Sequence, residues 1–337
     1  MVFGNYARRY EKAGISMLTD TLCNKYDHLF SKSKENIVHI GYGIDDNYMR
    51  CTAASVLSIC RHNPNLHLRF HILTSTLSAD NKKKLRNLAE LIQTDIVLYE
   101  IDTSFFNTLP TFVHLPVSTY FRFILPSILN EEERVCYLDA DIICLSSIEY
   151  IFSCNLENAI AAAVPDLEWM NKKRCSALSL KEHTYFNAGM LIINIKEWNS
   201  FHVMDKVLAL FKNDPVRFRY LDQDALNIAL HNKIIYLPKR YNCIDSFAED
   251  KEKIVFLHFA AHPKPWNIAW PISRASTVFR KDLYAQYEKE TPWADMPLQM
   301  PLNYKEMKVY AKALLYSGQK VNSLKWYCKY LYKKLRR

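Results

Sequence analysis

The 337-residue chain has no apolar run approaching the ~18 residues a bilayer-spanning helix requires. Its first residues, Met1 to Tyr10, lack the apolar core of a signal peptide, so the expected compartment is the cytoplasm. Nine cysteines are scattered without a C-x-x-C pair, which argues against a zinc knuckle and a disulfide framework alike. Cys60, Cys136 and Cys144 sit inside apolar runs, as small core residues do. The G-x-G-x-x-G of dinucleotide folds is missing, and there is no internal repeat or low-complexity segment.

Charge is not lacking, but it is unevenly placed. The net charge is +9, and its basic residues crowd after residue 304, from Lys305 and Lys308 to Arg336 and Arg337, with Glu306 as the one acid among them. Tyr304, Tyr310, Trp326, Tyr327, Tyr330 and several leucines lie between. Basic and aromatic residues interleaved in this way suit an anionic membrane surface and not a nucleic acid, with a packed helical hairpin or a solvated tail as the plainer readings.

The hydrophobic fraction of 49% is that of a globular protein. Residues 1–35 read as an extension of short helices, residues 36–302 as the main globular domain and residues 303–337 as the basic amphipathic, membrane-associating tail. Strands are expected at 37–40, 68–73 and 96–99, separated by helices at 47–60 and from Ser78, with Leu85, Leu88, Ala89 and Ile92 as the buried stripe of the second. This alternation predicts an α/β fold, a Rossmann-like, mostly parallel sheet flanked by helices, with ligands at the C-terminal strand ends. Further strands are expected at 159–164, 188–195 and 254–257, and further helices at 147–152, 203–212 and 223–230.

Residues 135–144 form an apolar run interrupted by Asp139 and Asp141. On a strand, residues i and i+2 share a face, and two carboxylates there repel each other and are costly to desolvate. A divalent cation such as Mg²⁺ or Mn²⁺ relieves this and reaches outward to a phosphate. His258, at the end of the expected strand 254–257, is a candidate third ligand, and nearby Lys264 a candidate phosphate contact. Gly43, Asp45, Asn47 and Tyr48 close the first strand, either to meet a nucleoside or to cap the next helix. Arg122 stands among aromatic residues and needs an anion, whether a pyrophosphate or a structural carboxylate. Asn187 and Gly189 open a strand; Asp222, Gln223 and Asp224 open a helix.

Together the segments Gly43–Tyr48, Thr119–Arg122, Tyr137–Asp141, Tyr185–Gly189, Leu221–Asp224 and His258 followed by Lys264-Pro265-Trp266 resemble family 8 glycosyltransferases of the GT-A fold, near the bacterial lipopolysaccharide core glucosyl- and galactosyltransferases. The resemblance implies retaining transfer of glucose or galactose from UDP-glucose or UDP-galactose to a lipopolysaccharide core hydroxyl, by an enzyme peripheral to the inner membrane. It implies that Gly43, Asp45, Asn47, Tyr48 and Arg122 meet the nucleotide. Asp139, Ala140, Asp141 and His258 would face the pyrophosphate, with Mn²⁺ or Mg²⁺ on the two aspartates and the histidine. Lys264 and Ala261 would meet the phosphates, and Asn187, Ala188, Asp222 and Gln223 would surround the donor sugar, with Asn187, Asp222 and Gln223 in catalytic positions. The departure is Ala261, where the family pattern has glycine; its methyl group crowds a backbone contact to the diphosphate. The rival readings are a phosphohydrolase with Asp139 as nucleophile and Asp141 as acid, or a non-catalytic basic membrane-binding protein.

Overall fold

The computed structural model describes residues 23–30, 36–106, 109, 117–214, 218–244, 253–277 and 279–336. Its first half holds β1 (Cys23–Phe30), β2 (Ile37–Ile44), α1 (Met49–His62), β3 (His67–Thr74), α2 (Ala79–Ile92) and β4 (Asp95–Ile101). Where helices were expected within residues 1–35, residues 23–30 form an edge strand antiparallel to β4; residues 1–22 and 31–35 lie outside the described residues. Charged side chains such as Asp27 suit an edge strand, whose outer rim faces water. Helix α2 starts where Ser78 Oγ accepts from the backbone N–H of Asn81, and it buries Leu85, Leu88 and Ala89.

The chain continues through α3 (Phe121–Ile128), β5 (Arg134–Leu138), β6 (Ile142–Cys144), α4 (Glu149–Ser153), β7 (Ala161–Pro165), α5 (Glu168–Leu178) and β8 (Phe186–Asn194). Then come α6 (Ile195–Ser200), α7 (Val203–Asn213), α8 (Leu221–Ala229), β9 (Ile234–Tyr236), β10 (Phe256–His258) and α9 (Leu283–Glu288). Among the described residues the main sheet has the order β1-β4-β3-β2-β5-β8-β7-β9. The strands β4, β3, β2 and β5 are mutually parallel, as are β7 and β9, while β8 runs antiparallel to both its neighbours. Reversal of β8 carries its first residues to the C-terminal end of β5, where Leu138 pairs with Met190.

Alternate residues of one strand fall in different hydrophobic clusters: Cys136 and Leu138 in one, Val135 and Tyr137 in the other. The sheet is therefore buried on both faces, which explains why its central strands read as unbroken apolar runs. The strand expected at 254–257 starts later, as β10, and joins β6 in a separate two-stranded sheet with His258 opposite Ile142. That register sets the histidine beside Asp141.

The basic tail forms two helices, α10 (Tyr304–Tyr316) and α11 (Lys320–Leu335). Asn303 caps the first by accepting from the N–H of Glu306, while the Glu306 carboxylate accepts from the N–H of Leu302. Tyr304 stacks on Tyr330 and Tyr310 meets Trp326 edge-on, so the two helices run antiparallel as a hairpin. Leu315, Val321, Leu324, Leu331, Tyr332 and Leu335 are exposed on it. Among the described residues no helix is long and apolar enough to cross a membrane.

Candidate active site

A cavity of about 460 Å³ opens at the C-terminal ends of β2 and β5. Strand β5 ends at Leu138, so Asp139 and Asp141 sit on the turn into β6 and not within one strand. The turn nevertheless points both carboxylates at one centre, which His258 enters from β10. One ligand atom from each of Asp139, Asp141 and His258 lies within 4.8 Å of the others. Each aspartate divides its oxygens. Asp139 Oδ1 accepts from Arg122 Nη2 at 2.9 Å, and its Oδ2 stands 3.9 Å from His258 Nε2. Asp141 Oδ2 accepts from Lys264 Nζ, and its Oδ1 stands 3.2 Å from His258 Nε2. Burial alone would raise the Asp141 pKa, but Lys264 and His258 hold it far below the usual carboxylate range. Two carboxylate oxygens and an imidazole nitrogen suit Mn²⁺ or Mg²⁺.

The tautomer of His258 follows from backbone chemistry. The Gly189 N–H can only donate, and it bonds to Asn187 Oδ1 at 2.9 Å. That oxygen also accepts from Asn242 Nδ2 at 2.9 Å, which leaves Asn242 Oδ1 to face His258 Nδ1, again at 2.9 Å. The ring must donate from Nδ1, so Nε2 is the nitrogen turned to the carboxylates and the one that would ligate a metal once it gives up its proton. Gly189 contributes space as well. A Cβ there would lie 2.5 Å from His258 Cε1, 2.8 Å from Asp139 Oδ2 and 2.9 Å from Asn187 Oδ1.

The Gln223 amide is fixed in the same way. Its Oε1 accepts from the Ala188 N–H and from Asn187 Nδ2, both at 3.1 Å. Its Nε2 donates to Asp166 Oδ2 at 2.8 Å and to Tyr185 Oη at 3.0 Å. Tyr185 in turn donates to Asp224 Oδ1 at 2.7 Å, and Arg174 of α5 grips both Asp224 oxygens at 2.7 and 3.0 Å. Helices α5 and α8 are thereby latched behind the cleft.

Arg122 lines the cavity but is almost fully enrolled by the protein. It donates to the carbonyls of Ala188 and Thr119, pairs with Asp222 Oδ2 at 3.0 Å and with Asp139, and lies over the Tyr137 ring. Burial works against its charge, yet Asp222 foremost among its anionic neighbours raises its pKa above the ordinary value. Asp222 is only 4% exposed, and burial, helped by Asp139 and opposed by Arg122, raises its pKa to about 6.

The expected site residues thus divide. Gly43, Tyr48, Arg122, Asp139, Ala140, Asp141, Asn187, Asp222, Gln223, His258, Ala261 and Lys264 all line the cleft. Ala188 lies behind it and acts through its backbone. Asp45 caps the turn at Asp46–Tyr48 by accepting from the N–H groups of Asn47 and Tyr48, and neither Asp45 nor Asn47 lines the cavity. Two members, Asp166 and Asn242, were given no role from sequence. Asp166 follows the apolar strand β7 as Asp139 follows β5, a signal that was present. Asn242 carried no local signal, and Gly189, expected to help open a strand, also makes room for the site's own side chains.

Fold and site together define a GT-A-type enzyme, with an acidic-imidazole triad facing amides from β8 and α8. Residues 39–269 match the model of glycosyl transferase family 8, and residues 281–334 that of the family 8 C-terminal region. The chain belongs to glycosyl transferase family 8. It is 32% identical over 315 residues to the lipopolysaccharide 1,3-galactosyltransferase of Salmonella typhimurium, covering 88% of this chain and 91% of that protein. It is 30% identical over 328 residues to lipopolysaccharide glucosyltransferase WaaO of Escherichia coli K12, covering 91% and 93%. The crystal structure of galactosyltransferase LgtC, solved with donor and acceptor sugar analogues, shares the fold with a TM-score of 0.65 at 21% identity, over 75% of this chain and 96% of that one.

Proposed function

We propose that this enzyme transfers glucose or galactose from UDP-glucose or UDP-galactose to a hydroxyl of a lipopolysaccharide core oligosaccharide, retaining the α configuration. The observation that carries the proposal is the convergence of Asp139, Asp141 and His258 at the floor of the cleft, with relatives named for transfer onto lipopolysaccharide beside it. The triad would hold Mn²⁺ or Mg²⁺, which when bound neutralises charge on the departing diphosphate. Lys264 donates to Asp141 and to the carbonyls of Phe259 and Ala260, and it would meet a phosphate oxygen by exchanging one of these partners. Tyr48 offers an aromatic face to the base, and its ring is braced edge-on against Trp266. Asn187 and Gln223 turn fixed amide dipoles toward the donor sugar. Because Gln223 Oε1 already accepts two N–H groups, it serves as a dipole and not as a covalent nucleophile, and the acceptor hydroxyl attacks on the face the diphosphate leaves. Asp222 acts through Arg122, which it pins against Asp139.

The tail hairpin would rest on an anionic membrane surface, holding the enzyme to the cytoplasmic face of the inner membrane; its exposed leucines and lysines support this reading. The phosphohydrolase reading loses ground in the same geometry: an Asp141 held far below the carboxylate range is a poor proton donor. The test is a panel of UDP-sugars incubated with the protein and Mn²⁺, Mg²⁺ or chelator. Metal-dependent consumption of UDP-glucose or UDP-galactose, increased by deacylated core oligosaccharide, is expected. Phosphate release from phosphomonoesters with no UDP-sugar consumed would overturn the proposal.

A further inference from the structure

The mouth of the cleft carries a side chain without a role in the site described above. Trp169, in the first turn of α5, lines the cavity and is 60% exposed. Trp198, Trp266, Trp270 and Trp293 are all buried. An indole left in water forgoes the burial that large apolar side chains normally gain. Among the described residues its ring has no aromatic, cation–π or hydrogen-bonding partner. Its mounting, by contrast, is rigid. Arg174 ties α5 to α8 through buried Asp224, and Asn171 Nδ2 donates to the Tyr185 carbonyl at 2.6 Å. The helix follows directly from Asp166, which accepts from Gln223, so α5 begins on the Gln223 side of the cleft whose lining Trp169 joins.

A free aromatic face on a fixed helix at the rim of a polar site matches a pyranose, whose C–H face stacks on indole while its hydroxyls stay hydrated. We propose that Trp169 is the stacking platform for the acceptor saccharide and a determinant of acceptor affinity; this rests on the sugar-transfer reading of the cleft. The platform binds the sugar ring that bears, or neighbours, the attacking hydroxyl, and it makes no contact with the UDP moiety.

The test uses the full chain with UDP-glucose or UDP-galactose, Mn²⁺ and deacylated lipopolysaccharide core oligosaccharide. In Trp169→Ala the acceptor KM is expected to rise about tenfold, equivalent to ~1.4 kcal/mol, while the donor KM holds. Trp169→Phe, which keeps a flat apolar face, should recover most of that loss. An acceptor KM within twofold of wild type in the alanine variant overturns the proposal, as does a loss that falls equally on the donor KM. A wild-type chain that consumes no UDP-sugar would instead defeat the transfer reading. The platform is then read directly by iodide quenching of tryptophan fluorescence. Core oligosaccharide should shield the wild type but not Trp169→Phe; an unshielded wild type refutes the platform too.

Discussion

Replacing Gly189 with alanine is expected to damage the proposed metal centre without replacing any of its ligands. The added methyl would sit 2.5 Å from His258 Cε1 and 2.8 Å from Asp139 Oδ2, well inside van der Waals contact. Neither neighbour is a loose side-chain tip: Asn242 holds the imidazole and Arg122 holds the carboxylate. The backbone is tied as well, since the Gly189 carbonyl accepts from the Asp139 N–H at 2.7 Å and β8 lies between β5 and β7. Overpacking of this kind costs about 1–3 kcal/mol, a few degrees of melting temperature in a chain of this size. The larger effect is on the ion, because displacing oriented ligands weakens metal binding by roughly 10–100-fold. Calorimetric titration of Mn²⁺ in the presence of UDP, alongside melting in chelator, separates the two effects. Manganese affinity within twofold of wild type would refute the reasoning, even if the melting point fell.

Other substitutions probe the same geometry. Asp139→Asn should lower transfer at least 100-fold with little change in melting point, since its side chain is 31% exposed; turnover near wild type would sink the metal assignment. Asp141→Asn should abolish transfer and also destabilise by about 3–5 kcal/mol, because it strips buried Lys264 of its counter-charge; chemical denaturation reads the difference. Asp222 gives a pH signature. Its folded pKa of about 6 exceeds the unfolded value near 3.9, so the folded state holds the proton more tightly, and stability falls as pH rises from about 4 to 6, by up to ~3 kcal/mol. Asp222→Asn should remove that slope, and identical pH profiles for the two proteins would refute it. Deleting residues 304–337 should release the protein from anionic vesicles, where wild-type binding weakens with salt; unchanged co-sedimentation would disprove membrane docking through the hairpin.

Much of this was legible before any coordinates. The runs around Ile40, Phe70 and Val97 are apolar because the sheet is covered on both faces, and such runs declare themselves. Asp139 and Asp141 stood out because acids interrupt an apolar stretch. What escaped notice depends on partners distant in sequence. The polar segment Cys23–Phe30 reads as helix alone, and becomes a strand only through β4, some seventy residues later. Asp45 shows a different limit, since a helix cap and a nucleoside contact call for the same residue type; the structure shows the cap. Arg174, Tyr185 and Asp224 each look ordinary, and their network exists only once α5 and α8 meet.

That latch also sets how the enzyme can be recombined. Arg174 and Asp224 are both buried, and parting them strands a charge in the interior at a cost of about 3–5 kcal/mol. A foreign α5 without an arginine in the place of Arg174 would leave Asp224 unmatched and loosen Tyr185, and Gln223 with it. A chimaera that keeps the latch intact would exchange the whole stretch from Asp166 to Ala229. Exchanged in that unit, the Gln223 amide would keep its register with the α5 surface proposed to meet the acceptor.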